Sequence, residues 1–150
     1  MPPIDTRTYV STLRELVKEG NDVSLLISGS SMAPFLIHHR DTILFGPIQR
    51  PLCRGDMVFY QRPNGQFVMH RIRYMRAEGM YLIGDNQTET EGPLPPECAF
   101  AIVKQVCRKG KWIGPSHPWW TFFSTVWLWL VPIRPWIVRL AAKILPTNHD

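Results

Sequence analysis

Three polar residues of this sequence have side chains that together could support nucleophilic catalysis. Ser31 lies in a Gly-Ser-Ser turn, His70 interrupts an apolar run, and Asp85 follows another apolar run. A serine hydroxyl becomes a good nucleophile when a neighbouring base takes its proton, and an acid in turn orients that base. Each residue alone fits an ordinary turn or strand. Because the three lie in or at the ends of predicted strands, in the order Ser, His, Asp, together they are candidates for nucleophilic catalysis.

Short apolar runs separated by glycine-bearing turns predict the element that positions these residues. They favour a curled, mostly antiparallel β domain over residues 22–114, preceded by a helix within residues 1–21. The helix is predicted from Asp5, its N-cap, to Gly20. The polar, proline-rich stretch from Thr88 to Pro96 is predicted as a loop. Strands are predicted over Val23–Ile27, Asp41–Phe45, Met57–Tyr60, Phe67–Ile72, Met80–Ile83, Ala99–Cys107 and Lys111–Ile113.

Residues 115–150 form a third segment of different composition. Five of the 6 tryptophans lie between Trp119 and Trp136. The stretch Pro118–Ile133 has no charged residue. As one helix it would extend about 24 Å, which is short of the roughly 30 Å hydrocarbon core of a bilayer. Its composition suits a membrane, but its length makes spanning marginal.

The following stretch, Pro135–Leu145, has the pattern of an interfacial helix. Arg139 and Lys143 lie one turn apart, and apolar residues fill most of the remaining positions. We therefore predict that residues 118–145 associate with a membrane. The alternative is that they fold over the β domain as a cap. Basic residues occur on both sides of the apolar stretch, so the side of the membrane stays open.

Charge and length constrain the partners. The net charge is +5 and the pI is about 9.4, which fits an anionic surface, either a membrane or a nucleic acid. The roughly twenty residues before the β domain are too few for a helix-turn-helix unit, so no nucleic-acid partner is expected. Met1–Gly20 carries charges throughout and lacks an apolar core of signal-peptide length, so we do not expect it to direct secretion.

No metal or cofactor is expected. Cys53, Cys98 and Cys107 form neither a CxxC pair nor an even set, which argues against a disulfide framework and a zinc site. His38 and His39 could bind a metal, but adjacent residues of an extended chain point apart and the sequence offers no third ligand.

Four segments in order resemble the signal peptidase I and LexA-like serine peptidases. Ser28–Leu36 resembles their nucleophile box, in which the serine immediately before methionine attacks. Gly55–Val58, His70–Ile72 and Gly84–Asn86 resemble the three later boxes. The boxes cover most of residues 22–107. The resemblance implies a mainly β, curled antiparallel domain with a short N-terminal helix and a C-terminal hydrophobic helical segment.

The resemblance also implies roles for individual residues. Ser31 is the nucleophile, and its own backbone N–H helps to bind the oxyanion. Many relatives add a hydroxyl two positions earlier, where this chain has Gly29, so Ser30 becomes the candidate second donor. His70 stands where bacterial relatives usually place a lysine. In this respect the chain resembles the histidine-using branch typified by the eukaryotic signal peptidase complex.

The acid that supports His70 is open between two residues. In the histidine-using branch an aspartate downstream of Gly-Asp-Asn supports the base. Here the loop contains no second aspartate, and by spacing Glu91 falls at the family's position. Asp85 and Glu91 are therefore both candidates, and Glu89 is a weaker one.

We expect a serine endopeptidase of signal-peptidase type, which cleaves signal or leader peptides from a peptide or preprotein substrate. One alternative is a LexA-like regulatory module that cleaves itself. Another is a catalytically idle relative that uses the same cleft to bind peptides at a membrane.

Overall fold

The computed structural model describes residues 6–27, 29 and 32–144. It contains an N-terminal helix, one antiparallel sheet and a group of C-terminal helices, which confirms the predicted fold class. The proposed N-cap Asp5 lies outside the described residues. The helices are α1 (Thr6–Lys18), α2 (Pro118–Ser124), α3 (Val126–Trp129) and α4 (Arg134–Ile144). The strands are β1 (Val23–Leu26), β2 (Thr42–Gly46), β3 (Met57–Gln61), β4 (Phe67–Arg76), β5 (Gly79–Ile83), β6 (Glu91–Leu94), β7 (Ala99–Arg108) and β8 (Lys111–Ile113).

The 8-stranded sheet follows the order β1-β2-β7-β3-β4-β5-β6, with β8 added to β7. The long strand β7 joins the two halves, because its C-terminal part pairs with β2 and its N-terminal part pairs with β3. The long strand β4 also changes partner along its length. It pairs with β3 from Phe67 to Arg71 and with β5 from Arg71 to Arg76. The β5 side of β4 is consequently not paired to a strand before Arg71.

The prediction of a loop over Thr88–Pro96 is wrong in part, because this segment contains strand β6. Its residues pair with the edge of β5, with Leu82 opposite Glu91 and Met80 opposite Leu94. Proline lacks a backbone N–H, so it is tolerated in a strand mainly at a sheet edge, and β6 is the last strand of the sheet. The pairing with β5, rather than local β propensity, makes this segment a strand.

Alternate residues of the strands build two apolar clusters on opposite faces of the sheet. Met57 and Phe59 of β3 belong to the larger cluster, which also contains Phe35 and residues of α1 and α2. Val58 and Tyr60 belong to the smaller cluster. The C-terminal helices contribute to the larger cluster, so their inner face covers the β domain.

The stretch predicted as one helix, 118–133, is broken. Helix α2 ends before Thr125, whose backbone is not helical (φ −125°, ψ −75°), and a 3-10 turn over Val131–Ile133 leads into α4. No single helix among the described residues is long and apolar enough to cross a bilayer. Together, Pro118–Trp129 and Val131–Ala141 have the length and apolar composition of a membrane span, but the two parts are bent by 78° relative to each other.

Candidate active site

His70 lies in the middle of β4 beside a cleft. It pairs with Val58 of β3 on one side. On the other side β5 has already ended, and the chain continues into the loop that joins β5 to β6. A cleft of about 530 Å³ opens there, lined by Arg62, His70 and residues 86–91. His70 is 5% exposed, so it borders the cleft while most of its surface is covered.

A chain of hydrogen bonds connects His70 to an ion pair. The Tyr60 hydroxyl lies 3.2 Å from Nδ1 of His70 and donates to Oε1 of Glu91 at 2.8 Å. The Arg62 guanidinium donates to both oxygens of the same carboxylate, each at 2.8 Å. Glu91, one of the two predicted acids, is thus joined to His70 through Tyr60 rather than by direct contact.

The hydrogen bonds fix the position of the proton on the His70 ring. A tyrosine hydroxyl has one proton, and here it is donated to the Glu91 carboxylate, which accepts only. The Tyr60 oxygen must therefore accept from His70, so Nδ1 carries the ring proton. Nε2 then carries no proton, and its lone pair can accept one.

The electrostatic environment keeps the three groups in these protonation states at neutral pH. Burial and the positive charge of Arg62 lower the pKa of His70 from 6.5 to about 4, against an opposing effect of Glu91. The Arg62 hydrogen bonds lower the pKa of Glu91 below its ordinary value. Burial and the Glu91 hydrogen bond raise the pKa of Tyr60. At pH 7 His70 is neutral, Glu91 is ionised and Tyr60 keeps its proton.

Asp85, the other predicted acid, is bound elsewhere. Its two oxygens accept from Nε and Nη2 of Arg71 at 2.8 Å and 2.9 Å, and both side chains are 0% exposed. Arg71 also donates to the carbonyl of Gly55. Arg71 follows His70 in β4, and neighbouring strand residues point to opposite faces. The Arg71–Asp85 pair thus joins three of the family-like boxes from the face opposite to His70.

The serine turn is described only in part. Ser28, Ser30 and Ser31 lie outside the described residues, so the structure gives no geometry for the predicted nucleophile or for the predicted oxyanion hydroxyl. Met32, which follows Ser31, is buried in the larger cluster. Phe35 is fully buried, and its ring lies 5.4 Å from the guanidinium carbon of Arg71. The segment after Ser31 is therefore packed against the face of the sheet that carries Arg71, which is opposite to the face of His70.

His38 bonds to the part of the turn that is described. The backbone N–H of Gly29 donates to Nδ1 of His38 at 2.6 Å, so this amide is already engaged. The rings of His38 and His39 stack with centroids 3.5 Å apart. The expectation that these side chains point apart is wrong, because they lie in a turn and His39 has a positive φ of 59°. Among the described residues no three His, Cys, Asp or Glu side chains cluster to hold a metal ion.

The C-terminal helices hold the loop that lines the cleft. Trp127 donates from its indole nitrogen to the Asp85 carbonyl at 2.7 Å. Arg134, only 2% exposed, donates to the carbonyls of Gly84 and Gln87 at 3.1 Å and 2.8 Å, and to the carbonyl of Trp127. One buried guanidinium and one indole thus satisfy backbone acceptors at the start of this loop.

Tyr60 and Arg62 are two residues of the site that could not be identified from the sequence. Tyr60 follows a family-like box and alternates with Val58, so its position on one face of β3 could be predicted. Its proximity to His70 depends on the β3–β4 register, in which Tyr60 pairs with Val68, two residues before His70. Arg62 follows β3 in a polar hairpin, where the sequence carries no signal of a partner almost thirty residues away.

Comparison with protein families gives one result that covers most of the chain. The family model described as Peptidase S24-like matches residues 3–107, a stretch that contains Ser31, His70, Asp85 and Glu91. Comparison with the curated proteins and with the solved structures gives no match.

Proposed function

The chain belongs to the Peptidase S24-like family, within the LexA and signal peptidase-like superfamily of serine peptidases, and we propose that it cleaves peptides with Ser31 as nucleophile and His70 as base. The substrates we propose are signal or leader peptides, as for a signal peptidase. The Ser30 hydroxyl and the Ser31 backbone N–H then donate hydrogen bonds to the oxyanion. The histidine makes this variant distinct from family members that use lysine.

The hydrogen-bond chain from His70 through Tyr60 to Glu91 is the observation that carries the proposal. It leaves Nε2 of a neutral imidazole free to accept a proton beside a cleft. The ordinary pKa of a lysine is near 10.4, and its surroundings must lower this pKa to about 7 before the amine can act as a base at neutral pH. The ordinary pKa of a histidine is already near 6.5. Burial keeps His70 unprotonated at pH 7, so Nε2 is available to accept a proton, and the charge of Glu91 opposes the effect of burial on the protonated form.

In the proposed reaction the Ser31 Oγ attacks the carbonyl carbon of the scissile peptide bond while its proton passes to Nε2 of His70. The oxyanion accepts hydrogen bonds from the donors named above. When the C–N bond breaks, the proton passes from His70 to the leaving amine and an acyl-enzyme forms. Water then attacks the ester, His70 takes its proton and returns it to Ser31, and the carboxylic acid leaves.

Glu91 assists when His70 becomes protonated. An imidazolium in this buried position is unfavourable, because burial and Arg62 both disfavour the cation. The Glu91 carboxylate favours it, and the Tyr60 hydroxyl lies between the two. In this mechanism Glu91 is the acid that accompanies Ser31 and His70 and stabilises the imidazolium, and Tyr60 orients the imidazole. Asp85 is given a structural role, because its carboxylate is fully paired with Arg71.

The first experiment compares Ser31→Ala with Ser24→Ala, a change at an exposed serine of β1. Each protein is incubated with a proteome-derived peptide library and, separately, with a fluorophosphonate probe. We expect the wild type and Ser24→Ala to cut peptides and to be labelled at Ser31, and Ser31→Ala to do neither. Cleavage by Ser31→Ala at the wild-type rate would refute the assignment of the nucleophile.

The same proteins also distinguish a peptidase from a self-cleaving LexA-like module and from a catalytically idle relative. Intact mass spectrometry of the wild-type chain detects self-cleavage, and cleavage of its own chain alone would favour a LexA-like module over a peptidase that acts on other chains. A wild-type protein that binds peptides but neither cuts them nor reacts with the probe would be an idle relative. We expect Ser30→Ala to retain labelling at Ser31 and to cut about a hundredfold more slowly.

A second comparison tests the base. His70→Gln should abolish cleavage, whereas His39→Gln, a change at an exposed histidine, should leave it near wild type. Circular dichroism and thermal unfolding show whether each variant is folded. Cleavage by folded His70→Gln at the wild-type rate would rule out His70 as the base.

A further inference from the structure

The C-terminal helices expose an unusual amount of apolar surface on their outer side. Trp129 is 77% exposed, Trp136 is 71% exposed, Leu140 is 60% exposed and Ile133 is 48% exposed. Trp136 and Leu140 are four residues apart and so lie on one side of α4, and Ile133 directly precedes this helix at the end of the 3-10 turn. Large side chains so close together are rarely left in water without a partner.

These residues are not displaced parts of the core. The same helices bury a separate set of side chains, among them Trp120, Phe123, Trp127 and Val131. Arg134 further attaches the start of α4 to the loop between β5 and β6. The inner face therefore already covers the β domain, and the outer face requires a different partner.

The charges on the outer face are all positive. Arg139 and Lys143 are exposed. They lie three and seven residues after Trp136, and hence on the same side of α4 as Trp136 and Leu140. The sequence from residue 115 to residue 144 contains no aspartate or glutamate. Aromatic side chains interleaved with long basic ones are typical of helices that lie in the interface of a bilayer, where the cations reach the headgroups.

We propose that this outer face, formed by Trp129, Ile133, Trp136, Leu140 and the two basic residues of α4, docks on a lipid surface that contains anionic headgroups. The charge decides for lipid over a second copy of the chain, because two identical basic faces repel each other. The aromatic residues match the headgroup region, in which tryptophan is enriched. The proposal stands on exposure and charge, and it does not depend on the proposed peptidase activity.

Docking in this way would bring the cleft close to the bilayer. A pocket of about 260 Å³ lies between the helices and the cleft loop, and its lining includes Arg139 of the docking face together with Asn86 and Thr88. The latter two also line the His70 cleft. The lipid-facing helix and the cleft thus share one loop, which suits substrates that are presented at a membrane surface.

Co-sedimentation of the full chain with extruded vesicles tests the docking. We expect binding to vesicles of phosphatidylcholine and phosphatidylglycerol, and weaker binding to phosphatidylcholine alone. Trp129→Ser/Trp136→Ser should weaken binding roughly a hundredfold, about tenfold for each tryptophan. The matched control is Trp112→Ser, which removes a tryptophan of β8 that is 51% exposed and outside the docking face, and its binding should be unchanged.

A second pair of variants measures the contribution of the basic residues to vesicle binding. Arg139→Gln/Lys143→Gln should weaken binding to anionic vesicles by roughly 25-fold, from about fivefold for each cation, with a much smaller effect on zwitterionic vesicles. Lys18→Gln/Arg76→Gln removes the same charge from exposed positions of α1 and β4 and should have little effect.

Three outcomes would overturn the proposal. The first is a folded wild-type chain that binds neither type of vesicle. The second is loss of binding in the matched controls to the same degree as in the docking-face variants. The third is a dimer, detected by analytical ultracentrifugation, that Trp129→Ser/Trp136→Ser dissociates, since this would assign the face to a second copy. Thermal unfolding of each variant shows that the fold is retained.

Discussion

Acid is expected to destabilise this fold through His70. The folded chain holds the pKa of His70 at about 4, against 6.5 for an ordinary histidine. Between these values the unfolded chain binds a proton that the folded chain does not, so the free energy of unfolding falls as the pH falls. Relative to pH 7, the contribution of His70 is lower by about 2 kcal/mol at pH 5 and by about 3 kcal/mol at pH 4.

Other groups also titrate in this range, so the measurement is a difference between two proteins. Glutamine at position 70 can donate to the Tyr60 oxygen but cannot be protonated. Urea unfolding of the wild type and of His70→Gln, measured at about pH 7, 6 and 5, gives two curves of stability against pH. We expect the wild-type curve to fall by about 2 kcal/mol more than the variant curve between pH 7 and 5. His39→Gln serves as the control and should follow the wild type.

Parallel curves for the wild type and His70→Gln would refute this reasoning. Direct titration of the His70 imidazole by NMR gives an independent check. A wild-type pKa near 6.5 would mean that the imidazole is solvated, and the argument from burial and from the charge of Arg62 would fail.

Three further predictions concern the elements around the cleft. Arg71→Met should lower the free energy of unfolding by about 3–5 kcal/mol, because Asp85 would remain buried without its partner, and a loss below about 1 kcal/mol in urea unfolding would contradict this. Arg134→Met should cost about 2 kcal/mol and speed hydrogen exchange in the loop between β5 and β6, since its carbonyls lose a charged donor; unchanged exchange there would count against it. Gly92→Ala should cost at least about 2 kcal/mol more in chemical unfolding than Gly110→Ala. Both glycines have positive φ, but only at Gly92 would the new Cβ lie 2.7 Å from a backbone carbonyl oxygen of β5, and equal losses would contradict this.

Much of the sheet could be predicted because its strands are bounded by local signals. Lys111–Ile113 was predicted with the bounds that the structure has, between a Lys-Gly turn and a glycine. The strand predicted over Phe67–Ile72 continues to Arg76, because its partner β5 extends the ladder. β6 could not be predicted locally, since a proline-containing segment becomes a strand only where an edge is available.

The C-terminal helices, too, could be predicted from the sequence only in part. Composition predicted an apolar helical stretch, but the break at Thr125 was missed. The helices must cover a curved sheet and also reach the loop of the cleft, and these requirements come from tertiary packing. The sequence predicts that this stretch associates with a membrane, with a cap on the β domain as the alternative, and the structure shows that the inner face of the helices packs on the domain.

The candidate site could be predicted in its residue types more than in its pairings. Asp85 and Glu91 are both plausible acids from the sequence, Asp85 because it follows an apolar run and Glu91 because its spacing matches the acid of the histidine-using relatives. Their different partners depend on register: Arg71 lies opposite Ile83, two residues before Asp85, and this brings the guanidinium to that carboxylate. Glu91 is bound through Tyr60, whose role depends on strand pairing that a linear pattern does not contain.

The hydrogen bonds of Arg134 and Trp127 also bear on how this protein can be recombined with its relatives. The family match ends at residue 107, yet both donors lie beyond it and serve carbonyls within it. A chimera that kept residues 3–107 and took its tail from another relative would leave buried carbonyls without donors, at about 1–3 kcal/mol for each. The smallest exchangeable module therefore extends into α4, and the tail must be inherited together with the cleft.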